Sequence, residues 1–114
     1  MRSGTIIAAL AATFVLTSAA QAATVTASGR QVRAAAGESG ELHGRSFALP
    51  AACTISAATG TEEAGFWIEG VSTVKFDTTA KAVGTVVPAG RYWVYPNLKR
   101  SAASATVTVT FDCP

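Results

Sequence analysis

The chain has 114 residues, of which 49% are hydrophobic, with nine Lys or Arg, seven Asp or Glu and one His. The formal net charge is only +2. Proteins that bind nucleic acids usually carry a larger excess of basic residues, so the composition argues against a nucleic-acid partner. His43 is the single histidine and has no companion ligands at metal-binding spacing, so we expect neither a metal ion nor a cofactor.

The N-terminus has the three-part layout of a secretory signal. The first four residues carry one positive charge, residues 6–16 carry none, and residues 20–22 have the A-x-A form of a cleavage site. A membrane anchor is the alternative, but the apolar run is shorter than the ~20 residues that span a bilayer. We therefore predict a cleaved signal peptide over residues 1–22. The mature chain, starting at Ala23, is expected to have no membrane span and to be periplasmic or extracellular.

The mature chain, residues 23–114, has the length of one domain. Two cysteines in an exported chain most simply pair with each other, which predicts a Cys53–Cys113 disulfide. In the chain-entropy model, such a long closure contributes about 4 kcal/mol to stability. No C-x-x-C motif supports a redox site instead.

Short strands are predicted along the first half of the mature chain. Residues 24–27 and 30–35 are expected to form edge strands, with a turn at Ser28-Gly29. The alternation continues from Phe47 to Ile55, where Pro50 is expected to divide the segment into two strands.

The second half of the mature chain contains the stronger strand patterns. Residues 66–69, 74–76, 83–87 and 91–95 are predicted strands. Strict alternation over residues 105–113 places the apolar side chains, including Cys113, on one buried face. Both cysteines therefore occupy core-facing positions, which favours a disulfide between two sheets or between neighbouring strands near the chain end.

No segment keeps a helical period, and seven to nine short strands predict an all-β fold, a small β-sandwich. A small β-barrel is the alternative. Gly90-Arg91-Tyr92-Trp93-Val94 resembles the G-x-Y-x-apolar segment that precedes the penultimate strand of many immunoglobulin-like sandwiches. The resemblance covers five residues and implies that the Tyr92 hydroxyl bonds back to the corner. The predicted disulfide departs from the usual inter-sheet pair of antibody domains.

No combination of residues indicates catalysis. His43 lies among Gly40, Glu41 and Gly44, which favours a solvated loop residue over a member of a catalytic triad. We therefore expect the protein not to be an enzyme.

Parity along two predicted strands places aromatic residues beside charged ones. Arg91, Trp93 and Tyr95 share one face of their strand, and Trp67 and Glu69 share one face of theirs. These five residues are the candidate ligand-binding site, because exposed Trp and Tyr beside charged groups contact sugars, peptides and partner surfaces. The alternative is that the rings are buried and only the charged groups reach solvent.

The sequence thus predicts an exported, non-catalytic β-sandwich that binds an unidentified protein or carbohydrate. One alternative is a pilin-like assembly subunit, whose N-terminal arm, residues 23–35, adds to the sheet edge of a neighbour. A second alternative is a small inhibitor of a secreted enzyme, which rests on size, disulfide and export.

Overall fold

The computed structural model describes residues 22–35, 40–61 and 65–114, and residues 1–21 of the predicted signal peptide lie outside the described residues. Within these ranges the chain forms nine β-strands, one 3-10 turn (Ala80–Ala82) and no α-helix. No helix in the described ranges has the length and apolar character needed to cross a membrane. The strands are β1 (Ala23–Val32), β2 (Glu41–Gly44), β3 (Phe47–Leu49), β4 (Cys53–Gly60), β5 (Phe66–Glu69), β6 (Thr73–Phe76), β7 (Val86–Val87), β8 (Gly90–Pro96) and β9 (Ser104–Cys113).

The strands form two antiparallel sheets, which confirms the all-β prediction. The first sheet has the order β2-β1-β9-β4-β7, and the second has the order β3-β8-β5-β6. Pro50 separates β3 in the second sheet from β4 in the first, so the predicted break is the point where the chain changes sheets. Proline suits this position because it cannot donate to a ladder.

Alternation directs one face of each sheet into a shared core. On β9, Val107, Val109 and Phe111 are buried, while the threonines between them lie outward. The second sheet contributes buried residues to the same hydrophobic cluster. The ring centroids of Phe47 on β3 and Phe111 on β9 are 5.4 Å apart, so aromatic packing joins the two sheets.

The predicted turn at Ser28-Gly29 is wrong, because both residues lie within β1. This strand pairs with β9 over all ten residues, from Ala23↔Cys113 to Val32↔Ser104. Gly29 allows close contact between the sheets. A Cβ added there would lie 1.7 Å from the backbone oxygen of Val94 on β8. Glycine is therefore required here by the approach of another backbone and not by a turn.

The predicted strand over residues 83–87 is shorter in the structure. Only Val86 and Val87 form a strand, and the residues before them make the 3-10 turn and its exit. Ala82 in that turn is completely buried, and the backbone of Ile55 on β4 bonds to Gly84 and Thr85. Residues 80–85 therefore pack against β4 as a turn and do not form part of the strand.

The Cys53–Cys113 disulfide is present, with a Cα–Cα distance of 4.4 Å and a sequence separation of 60. Both cysteines are buried. The neighbouring pair Thr54↔Asp112 shows that the two cysteines face each other across β4 and β9. Of the two arrangements the sequence left open, the structure has the bond between neighbouring strands of one sheet.

Tyr92 makes the hydrogen bond that the resemblance implied. Its hydroxyl donates to the backbone oxygen of Pro88 at 2.8 Å, and the residue is only 1% exposed. A buried hydroxyl requires such a partner. The bond holds the start of β8 to the connection from β7, and it orients the residues that follow Tyr92.

Candidate binding surface on the second sheet

The five predicted site residues lie together on the outward face of the second sheet, which we call the aromatic face: Trp67, Glu69, Arg91, Trp93 and Tyr95. They belong to β5 and β8, the two central strands of that sheet. In the register of these strands, Trp67 is opposite Tyr95 and Glu69 is opposite Trp93. Directly opposed side chains are neighbours on one face, so the aromatic face is continuous.

The opposite faces of β5 and β8 supply the core. Phe66, Ile68, Tyr92 and Val94 are almost completely buried, each at most 1% exposed. Because these residues fill the inner side, the two tryptophans stand on the outer side, where they are half-buried by their neighbours. The structure therefore places the aromatic rings outside the core, with part of each ring accessible.

Contacts among the side chains orient the aromatic face. The indole Nε1 of Trp67 donates to Oε1 of Glu69 at 3.1 Å. The ring centroids of Trp67 and Tyr95 are 5.5 Å apart, with the planes tilted by 48°. Burial, and secondarily the negative charge of Glu69, raises the pKa of the Tyr95 hydroxyl. The raised pKa widens the pH range over which the Tyr95 hydroxyl is protonated and can donate a hydrogen bond.

Strand β6 extends the aromatic face with polar groups that the sequence analysis did not select. Lys75 is opposite Trp67, and Thr73 is opposite Glu69. A groove of about 480 Å³ lies on this side of the face. Its lining is Trp67, Glu69, Thr73, Lys75, Phe76, Asp77 and Asn97. Parity alone marks Thr73 and Lys75 as outward, but their position beside Trp67 depends on strand pairing.

Arg91 is at the other end of the aromatic face. Its Nη1 atom donates to the Oγ atom of Ser46 at 3.1 Å, and Arg91 is opposite Ala48 of β3. The guanidinium is thus directed toward the connection between β2 and β3. Arg91 thus forms one edge of the aromatic face, and it stacks on neither tryptophan in the described contacts.

His43 lies in a strand, which corrects the prediction of a loop residue. It is exposed on β2, and its Nε2 atom is 3.0 Å from Oε1 of Glu41. Among the described residues, no group of three or more His, Cys, Asp or Glu side chains has a metal-binding arrangement. The solvated environment predicted for His43 agrees with its exposure.

The chemistry available on the aromatic face is stacking and hydrogen bonding. Trp67, Trp93 and Tyr95 present ring surfaces, and Glu69 and Lys75 add an acceptor and a donor.

No protein-family model, curated protein or solved structure matches this chain. The proposal about function therefore depends on the aromatic face itself.

Proposed function

We propose that the protein is an exported, non-catalytic binding module with an immunoglobulin-like β-sandwich architecture, and that it binds a carbohydrate chain across the aromatic face. Two sheets around one core and the Tyr92–Pro88 hydrogen bond support this architecture. The Cys53–Cys113 disulfide is compatible with an oxidising, extracytoplasmic compartment.

The observation that carries the proposal is the outward position of Trp67, Trp93 and Tyr95 on two adjacent central strands. An outward sheet face normally carries polar side chains. Large rings here leave apolar surface in water, which costs free energy unless a ligand covers it. A flat ring surface suits the C–H face of a sugar, which stacks on it without requiring a deep pocket.

Polar groups alternate with the rings in a way that favours a sugar over a protein. The row Tyr95, Trp67, Lys75 and the row Trp93, Glu69, Thr73 cross the sheet with a strand spacing of about 4.8 Å. Protein interface cores are depleted of Glu and Lys, whereas here both adjoin the rings. Sugar hydroxyls both donate and accept, so Glu69 and Lys75 are suitable partners for them.

The pilin-like alternative is less compatible with the structure described here. Residues 23–32 of the proposed N-terminal arm are β1, which pairs along its whole length with β9 of the same chain. In this state the arm is therefore not free for donation to a neighbour. The inhibitor alternative remains a prediction without a site.

The experiment is a binding assay of the mature protein, residues 23–114, on insoluble cellulose, chitin and xylan and on their soluble oligosaccharides. We expect Trp67→Ala and Trp93→Ala each to weaken binding at least about tenfold, as loss of ~1.4 kcal/mol of stacking predicts. Tryptophan fluorescence should change when a bound oligosaccharide covers the rings.

The matched control is Thr108→Ala, on the outward face of the first sheet, which should bind as the unmodified protein does. Circular dichroism must show that every variant is folded. Retained binding after substitution of both tryptophans would show that the ligand lies elsewhere. Failure to bind any of these glycans would contradict the proposed ligands.

A further inference from the structure

A cavity of about 720 Å³ lies where the chain crosses from the first sheet to the second. Strand β2 ends at Gly44, Arg45 and Ser46 make the crossing, and β3 begins at Phe47. This cavity, which we call the crossing cavity, is bordered by β1, β2 and β9 of the first sheet and by the start of β3. Its volume falls in the range of about 300–1,000 Å³ that is typical of small-molecule sites.

The crossing cavity has an apolar part at the junction of the two sheets. Ala27, Phe47 and Val107 line it. Ala27 and Val107 belong to the hydrophobic core, whereas Phe47 packs against the core and is only partly buried. Covering such a surface with the apolar body of a ligand is favourable, because apolar area is then removed from water.

Positive charge lies beside this apolar part. Arg30 and Arg45 line the crossing cavity, and none of its described lining residues is acidic. Gly29 and Gly44 are opposite each other across β1 and β2. Each arginine directly follows one of these glycines, so the two arginines flank the glycine pair diagonally. Diagonal neighbours in an antiparallel pair are about 7–8 Å apart, which long side chains can bridge.

The two arginines lack a counterion in the part of the chain that the structure describes. Their side chains form no hydrogen bond and no ion pair with described residues. Glu41, the acidic residue of β2, is 3.0 Å from His43 and is thus already paired. Two neighbouring positive charges repel each other, and an anion bound between them would remove that cost.

The chemistry of the lining favours a carboxylate as this anion. A guanidinium group presents parallel N–H donors that match the two oxygens of a carboxylate, and it is always charged. Ser28 adds a hydroxyl group to the same lining. Phosphate sites are commonly built on a helix N-terminus, whereas the described lining comes only from strands and the crossing between them.

We propose that the crossing cavity binds a small carboxylate with an apolar tail, such as a medium-chain fatty acid. The head group lies between Arg30 and Arg45, and the tail lies against Phe47. Phe47 is two residues after Arg45, so their Cα atoms are at most about 7 Å apart. One small molecule therefore reaches both. This ligand site is separate from the aromatic face.

The first test compares ligands that differ in one feature. Isothermal titration calorimetry of the mature protein, residues 23–114, should detect octanoate. Octylammonium and 1-octanol lack the negative charge and should bind at least about tenfold more weakly. Each CH₂ group removed from the tail should weaken binding about fourfold. Absence of octanoate binding, equal binding of 1-octanol, or tighter binding of octyl phosphate would overturn the proposal.

The second test removes the positive charges. Arg30→Gln combined with Arg45→Gln should weaken octanoate binding at least about tenfold. Lys81→Gln is the matched control, because Lys81 is an exposed cation of the 3-10 turn and does not line the crossing cavity. It should bind octanoate as the unmodified protein does. Circular dichroism must show that each variant is folded, and the single variants decide if the double one is not. Unchanged binding by the arginine variants would contradict the proposed site.

NMR spectroscopy locates the bound octanoate. The backbone amide signals of Gly29 and Gly44 should shift on titration, whereas the indole N–H signals of Trp67 and Trp93 should not. Shifts confined to the indole signals would place octanoate on the aromatic face and would overturn the proposal. The substituted arginines are not part of the aromatic face, so glycan binding and octanoate binding are tested independently.

Discussion

The two sheets bury similar inner faces but differ in what they present outward. The first sheet presents small hydroxyl side chains: Thr26 and Ser28 on β1, and Thr106, Thr108 and Thr110 on β9. The second sheet presents the aromatic face. Side chains of the first sheet bond to each other, as Ser28 does to Thr108 at 3.1 Å, and Thr61 also bonds to Thr106.

The difference separates residues explained by folding from residues that need another explanation. Threonine is a good strand former, so the outer face of the first sheet follows from β-propensity. Trp67 and Trp93 could be threonine without loss of strand propensity, and the core on the inner side is already filled. Neither strand propensity nor core packing explains the two tryptophans on the outer face, and this is the reason for proposing a ligand there.

Among the changes that test this comparison, loss of the disulfide within the first sheet should lower the stability of the protein the most. Reduction, or Cys53→Ala with Cys113→Ala, should lower the free energy of unfolding by about 4 kcal/mol. Urea denaturation followed by tryptophan fluorescence reports from the second sheet. A transition unchanged by reduction would show that the second sheet unfolds independently of the first.

The second largest loss of stability should come from disturbing the close contact between β1 and β8. Gly29→Ala puts a Cβ atom onto the Val94 oxygen, so it should destabilise the protein by about 1–3 kcal/mol through overpacking. Ser28→Ala, at the exposed neighbouring position, is the control and should change stability by less than about 0.5 kcal/mol. Similar thermal unfolding of the two variants would disprove the close approach of β1 to β8.

A smaller effect is expected in the second sheet from Tyr92→Phe. The substitution removes the hydroxyl and leaves the Pro88 oxygen without that partner, which should cost about 1 kcal/mol. Tyr95→Phe, on the aromatic face, serves as the control and should cost less. Chemical denaturation of both variants measures the difference in stability. Equal stabilities would show that the hydrogen bond from Tyr92 to Pro88 does not stabilise this sheet.

The smallest effect concerns the pH response of the aromatic face. The raised pKa of Tyr95 means that folding favours its protonated hydroxyl. The stability gained from the protonated Tyr95 hydroxyl is fully present below the ordinary tyrosine pKa. It is lost as the pH rises through the raised pKa of Tyr95 in the folded protein. Absorbance titration of tyrosinate in Tyr92→Phe isolates Tyr95, and Glu69→Gln should lower its pKa part of the way. An unchanged titration would exclude Glu69 as a contributor.

Local alternation predicted which face of each strand is buried, but it left open whether the tryptophan rings are buried. It placed Val107, Val109 and Phe111 on the buried side of β9, and it separated Trp67 and Trp93 from the core residues beside them. The cysteine pair also followed from the count of two cysteines and the predicted export signal, without knowledge of the strand order. These features depend on the two-residue period of a strand, which each segment carries in its own sequence.

Strand pairing decided the rest, because it joins segments that are distant in the chain. It put Trp67 beside Tyr95 and Lys75, and it placed the disulfide within one sheet. The Ser28-Gly29 pattern is typical of a turn, yet Gly29 lies inside β1, because the backbone of β8 passes too close for any side chain. Glycine has the same appearance in sequence whether it permits a turn or a contact, and only the packed neighbour distinguishes the two.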